Sequence, residues 1–113
     1  MMRRLVRAVI RNATVTRADG LTLRLDPVLL RAANILPLEE VEIVHHATGQ
    51  RFVTFAEEGV GVCAPKMREG DVISIVAYGI LHDGQTLAHT ATIVTLAEDN
   101  EVIGVAQSSA VPA

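Results

Sequence analysis

The sequence predicts a mainly β protein, a closed barrel of short strands with one short helix, and three observations lead there. β-Branched residues and period-two alternation dominate the chain. Polar turn signals recur between short apolar runs. No second long helical pattern is available to cover a sheet face, which favours a barrel over a layered α/β sheet. With 113 residues, 50% of them hydrophobic, the chain reads as one domain whose core needs no staples.

Element by element, the first strands are expected at 3–10 and 12–17, where arginines interleave with apolar residues in LVRAVIRNATV, and at 21–25 in LTLRL. A helix is expected at 27–33: Asp26 is a good N-cap, Pro27 suits the first helical position, VLLRAA supplies helix formers and Asn34 is an acceptable stop. Strands then follow at 40–46, 51–56, 60–63, 71–78, 88–96 and 101–106. They are separated by turns at ATGQ (47–50), EEG (57–59), PKMREGD (65–71), HDGQ (82–85) and EDNE (98–101). LPLEEVEIVHH and KMREGDVISIVAY share a polar turn feeding a buried strand, a weak sign of two related halves. Residues 1–106 form the expected barrel, and 107–113 a flexible tail.

Composition excludes several function classes. Residues 1–31 carry seven Arg against two Asp, a balance of +5, and the rest carries three basic against eleven acidic residues, a balance of −8. Because the arginines alternate with apolar residues, they read as one face of strands rather than as a basic arm. With a single lysine, one tyrosine, two phenylalanines, no tryptophan and a net charge of −3, no nucleic-acid partner is expected. No 18-residue uncharged apolar run exists, so no membrane is expected, and a cytoplasmic protein is. Cys63 stands alone, which rules out an internal disulfide and a multi-thiolate zinc site.

The segments VTRAD, DPVLLRAANILPLEEVEI, TGQRFVTFAEEG, EGDVISIVAY and EDNE, in that order, resemble the small pyruvoyl-dependent aspartate 1-decarboxylases over nearly the whole chain. The resemblance implies a double-psi β-barrel, a homotetramer with sites between subunits, and a lyase. In that family the chain cuts itself at a Gly-Ser bond, and the serine becomes a pyruvoyl group that forms a Schiff base with aspartate. Here Leu21 and Thr22 stand where Gly-Ser would be, in a loop shorter than the family's. Leu21 lacks glycine's conformational freedom, and elimination from Thr22 would leave a ketobutyryl group. None of Ser74, Ser108 and Ser109 follows a glycine. No pyruvoyl cofactor is therefore expected.

The resemblance also implies roles for other positions. Arg51 and Thr54 in RFVTF match the family's substrate-binding Arg and the Thr that follows it. Phe55 stands where the family has a proton-donating Tyr, and Val9 near its first-strand Lys, with Arg7 or Arg11 close by as a substitute carboxylate contact. The Asn-Gly-Ala-Ala-Ala loop has no counterpart in GVGVCAPKMREGD. His45 and Tyr78 are candidates to replace the lost proton donor if the barrel brings either to Arg51. His45 and His46, adjacent in a strand, should face opposite ways, and His82 and His89 flank a turn, so no metal site is expected.

Three functional readings follow. The first is a repurposed barrel that acts without pyruvoyl, as a lyase or isomerase on a small, amino-acid-like carboxylate bound at Arg51 and Arg11 between subunits, with Thr22, Thr54, Tyr78 and His45 as candidate catalytic residues. The second is a decarboxylase that processes itself at Thr22. The third is a barrel that binds a small ligand without turnover.

Overall fold

The computed structural model describes residues 1–18, 20–86 and 88–110. Its elements are β1 (Met2–Thr14), β2 (Arg17–Ala18), β3 (Leu23–Leu25), α1 (Pro27–Ala33), β4 (Glu40–His45), β5 (Arg51–Glu58), β6 (Val62–Ala64), β7 (Val72–His82), α2 (Asp83–Thr86), β8 (Thr90–Leu96) and β9 (Val102–Ser109). The strands form one curled sheet in the order β2-β6-β3-β5-β4-β7-β1-β8-β9, so the protein is mainly β and barrel-like, as the alternation predicts.

β1 is the spine. It pairs antiparallel with β7, Ile10 opposite Ile75, and parallel with β8, Ile10 beside Val94. The strands expected at 3–10 and 12–17 are joined because Asn12 takes φ 62° within a register shift between Ile10 and Ala13, and the bulge lets pairing resume. Alternation buries one side of β1, β4, β7 and β8: Ile10, Ile43, Ile73, Ile75 and Val94 are all at 0% exposure, alongside Leu23 and Leu25 of β3. Each such side chain contributes about 1.5–3 kcal/mol when removed from water.

α1 closes this core from outside the sheet. Asp26 accepts from the Val28 amide at 3.0 Å, Pro27 opens the first turn, and Leu29, Leu30 and Ala33 face inward. Asn34 ends it in the left-handed conformation, donating to the Arg31 carbonyl, and Ile35 N–H reaches back to Leu30 O.

Three departures from the expected elements have local causes. In place of the expected HDGQ turn, β7 runs to His82 and Asp83–Thr86 form a one-turn helix, α2, held where Gln85 accepts from the His82 amide at 3.0 Å. β9 runs to Ser109, with Gln107 opposite Thr92 and Ser108 opposite Ala91, so residues 107–109 lie in the ladder and not in the expected tail; 111–113 lie outside the described residues. The turn EDNE does more than reverse the chain. Asn100 Oδ1 accepts from Thr14 N at 2.7 Å while its Nδ2 donates to Thr14 O at 2.8 Å, so one side-chain amide substitutes for a strand neighbour at the end of β1.

The excursion from Thr16 to Asp26 positions the Leu21–Thr22 bond. Both ends are fastened to one dipeptide: Thr16 N donates to Val62 O at 2.9 Å, and Asp26 N donates to Gly61 O at 3.0 Å. The Thr16 hydroxyl accepts from the buried Val62 amide at 3.0 Å. Gly61 has φ 71°, and a Cβ there would lie 2.5 Å from Thr16 Oγ1, so the junction has room only for glycine. No helix among the described residues is long and apolar enough to cross a membrane.

Candidate active site

β4 and β5 form a hairpin through ATGQ, with Val44 opposite Arg51 and Glu42 opposite Val53. Arg51, Val53 and Phe55 therefore project outward, and Phe52, Thr54 and Ala56 project toward the interior. β3 pairs only with residues 56–58 of β5, which leaves the far edge of 51–55 outside that ladder. The Leu21 segment crosses this open edge, and Thr54 Oγ1 donates to Leu21 O at 3.1 Å.

A cavity of about 370 Å³ wraps the edge and is lined by Leu21, Arg51, Phe52, Thr54 and Lys66 among others. Arg51 and Thr54, three apart on a strand and so on opposite faces, both reach it because it follows the edge. The described lining residues include two cations and no carboxylate. Arg51 is 63% exposed, and Lys66 Nζ lies 5.2 Å from the Phe52 ring centroid. An anion is the ligand this wall favours.

The Arg51 guanidinium is held from the other side. Its Nη1 donates to Glu42 Oε1 at 3.1 Å, and the Tyr78 hydroxyl donates to the same oxygen at 2.9 Å. Arg4 lies over the Tyr78 ring, 3.8 Å from its centroid. Arg4, Tyr78, Glu42 and Arg51 thus form a polar row across the adjacent strands β1, β7, β4 and β5. Burial, then the hydrogen bond and charge of Glu42, raise the Tyr78 pKa above 10.0, while Arg4 and Arg51 pull it partly back. A second cavity of about 190 Å³ lies along this row and shares Val53 with the first.

The residues singled out from the sequence separate into two groups. Thr54 and Arg51 line one cavity, with Thr22 beside it: the Thr22 hydroxyl donates to Glu57 Oε2 at 3.0 Å, an oxygen that Arg24 also approaches at 3.6 Å. Tyr78 reaches Arg51 only through Glu42. His45 and Arg11 are not brought to the cavity within the chain. Because Val44 is the residue opposite Arg51, His45 projects to the other face, where its ring meets Thr48 at 2.8 Å and Asp71 at 3.4 Å. Arg11 is exposed on β1 beside Thr95 of β8. Arg7, its alternative, is tied to Asn34 O at 2.8 Å and to the Glu39 carboxylate.

His46 instead meets Ser74 at 2.7 Å and His89 meets Val6 O at 2.7 Å, so these rings do not converge. Among the described residues no three His, Cys, Asp or Glu side chains gather into a metal-binding group. Sequence reasoning missed Glu42 and Lys66. The hairpin register would have placed Glu42 diagonal to Arg51, and Lys66 is the only lysine in the chain.

The family model described as Aspartate decarboxylase matches residues 1–103. The chain is similar to the aspartate 1-decarboxylase of Phenylobacterium zucineum, 36% identical over 90% of this chain and 97% of that one. It is likewise similar to those of Listeria monocytogenes, at 34% over 90% of each, and Shouchella clausii, at 31% over 91% of each.

Proposed function

Because the chain belongs to the aspartate decarboxylase family, we propose that it is a lyase- or isomerase-type enzyme that binds a small carboxylate metabolite at Arg51 and works without a serine-derived pyruvoyl group. The observation that carries this reading is the cavity at the β5 edge, whose described wall presents Arg51 and Lys66 and no carboxylate. A ligand carboxylate accepts from the guanidinium N–H groups that Glu42 leaves free. Glu42 restrains the guanidinium from one side through its single bond to Nη1, which narrows the orientations open to the ligand. Glu42 and Tyr78 act here as positioning residues, because both reach the ligand only through Arg51.

The residues at the processing position do not fit a serine-derived pyruvoyl group. Thr22 would retain its methyl carbon in any elimination product, and Leu21 is the residue before it. The chemistry then falls to the side chains of the cavity and to exclusion of water by a neighbouring subunit at this edge. Two exposed apolar side chains line this cavity, Leu21 at 91% and Val53 at 62%, and Phe55 of the same strand is exposed as well. A homo-oligomer that covers them supports such a site.

A second reading is favoured by one specific arrangement. Thr54 holds the carbonyl and Glu57 the hydroxyl on either side of the Leu21–Thr22 bond, the polarity that self-processing at Thr22 would use. An intact-mass spectrum separates the two. A single uncut chain is expected; a break before Thr22 with a carbonyl at the new terminus would establish the second reading. Calorimetry with short carboxylates tests the pocket, and Arg51→Ala should weaken binding about tenfold or more, the loss of roughly 1.4 kcal/mol or more from a charged hydrogen-bonded contact. Unchanged affinity in that variant would end the proposal.

A further inference from the structure

We propose that Lys66 is a covalent amine, forming an imine with the ketone of a short 2-keto acid whose carboxylate rests on Arg51. This rests on the pocket proposed above and names a substrate class for it. Lys66 is the only lysine of the chain and shares the β5-edge cavity with Arg51 and Thr54. Its backbone is held in the left-handed region, φ 60°, between Pro65 and Met67, both buried. A non-glycine residue in that region marks a site where surrounding structure dictates the conformation. The side chain leans over Phe52, next to Arg51 in β5, and takes part in no ion pair among the described residues. The amine and the carboxylate anchor therefore open onto one cavity, the arrangement needed to attack a carbonyl whose acid group is already fixed.

The steps balance without an oxidant or a reductant. The ammonium gives a proton to solvent, and the Nζ lone pair adds to the ketone carbon. The carbinolamine loses its hydroxyl, with a proton, as water, leaving a C=N bond protonated at nitrogen. A proton on the neighbouring carbon then leaves to water, and its bonding pair moves into the iminium to give an enamine. Reprotonation and addition of water return the ketone and the free amine. The resemblance implies a ketone on the protein and an amine on the substrate; here the two partners exchange those roles.

The test is to incubate the full chain with pyruvate and sodium cyanoborohydride and to read the intact mass and the labelled peptide. One carboxyethyl group on Lys66 is expected, saturating with pyruvate, suppressed by lactate, and slowed about tenfold or more in Arg51→Ala. Lys66→Arg should lose the label and still bind lactate. Labelling that persists in Lys66→Arg, ignores lactate, or spreads equally to the amine of Met1 overturns the proposal. So does trapping of aspartate in place of pyruvate, since that places the carbonyl on the protein. Lactate binding that depends on Arg51 with no label on Lys66 would overturn the imine alone, whereas lactate binding indifferent to Arg51→Ala would overturn the pocket itself.

Discussion

Replacing Gly61 by alanine should loosen the junction that fastens both ends of the Thr16–Asp26 excursion. At φ 71° a Cβ brings a backbone penalty of about 1–2 kcal/mol. The new methyl group would also sit 2.5 Å from Thr16 Oγ1, and that hydroxyl must move. Its movement strands the Val62 amide, which belongs to a residue with no solvent exposure and which it accepts from at 3.0 Å, at about 1–3 kcal/mol. The variant should therefore lose about 2–5 kcal/mol. Thr16→Ala strands the same amide and should cost about 1–3 kcal/mol alone, but it also removes the atom the new Cβ meets. In the double variant the shared loss is counted once, so it should be less destabilised than the two singles added together by about 1–3 kcal/mol. Urea unfolding followed by far-ultraviolet circular dichroism, at one protein concentration because association would shift the midpoint, measures all three. A Gly61→Ala chain within about 0.5 kcal/mol of the parent, or a strictly additive double variant, would refute the reasoning.

Two further outcomes follow from the polar row and one from the Asn100 amide. Tyr78 is the only tyrosine and there is no tryptophan, so phenolate absorbance reports this residue alone. Its titration should lie above 10.0, and Glu42→Gln should bring it down while leaving the part due to burial; a midpoint unmoved by that change would remove Glu42 as a cause. With the folded pKa raised, the native state keeps a proton that the unfolded chain releases. The associated stability is thus present below pH 10 and lost as pH rises through the folded value, which alkaline unfolding curves would show. Asn100→Asp replaces the donor that faces Thr14 O with an oxygen, and the chain should lose about 1–3 kcal/mol; a thermal midpoint equal to the parent's would contradict the role assigned to the amide.

Much of the architecture is legible because local rules and packing agree. Asp26, Pro27 and Asn34 mark the bounds of α1 by their own chemistry, and alternation in EVEIVH and VISIVAY marks the faces of β4 and β7. The gap expected between strands 3–10 and 12–17 closes for a physical reason: Asn12 tolerates positive φ, and the bulge there lets β1 run on. The site is less legible. Thr54 and Arg51 come together only because β3 stops pairing at Ala56, a feature of tertiary pairing that strand periodicity does not encode. His45 is one residue from the position opposite Arg51, and one residue is a change of face. Lys66 reads as part of an ordinary polar turn, since its left-handed backbone is imposed by its neighbours.

The paired fastening at Gly61–Val62, together with the pairing of β2 and β3, makes the short connection between those two strands a replaceable cassette. Thr16 and Asp26 are moored at the same place, and β2 and β3 between them are paired in the sheet, so chain added between Ala18 and Leu23 changes what is displayed above Thr54 without asking the barrel to move. Substituting a longer insert with a Gly-Ser step between β2 and β3, while keeping both strands and both moorings, should shift unfolding by only about 1 kcal/mol and make the composition of this one loop the variable that decides whether the scaffold cuts itself.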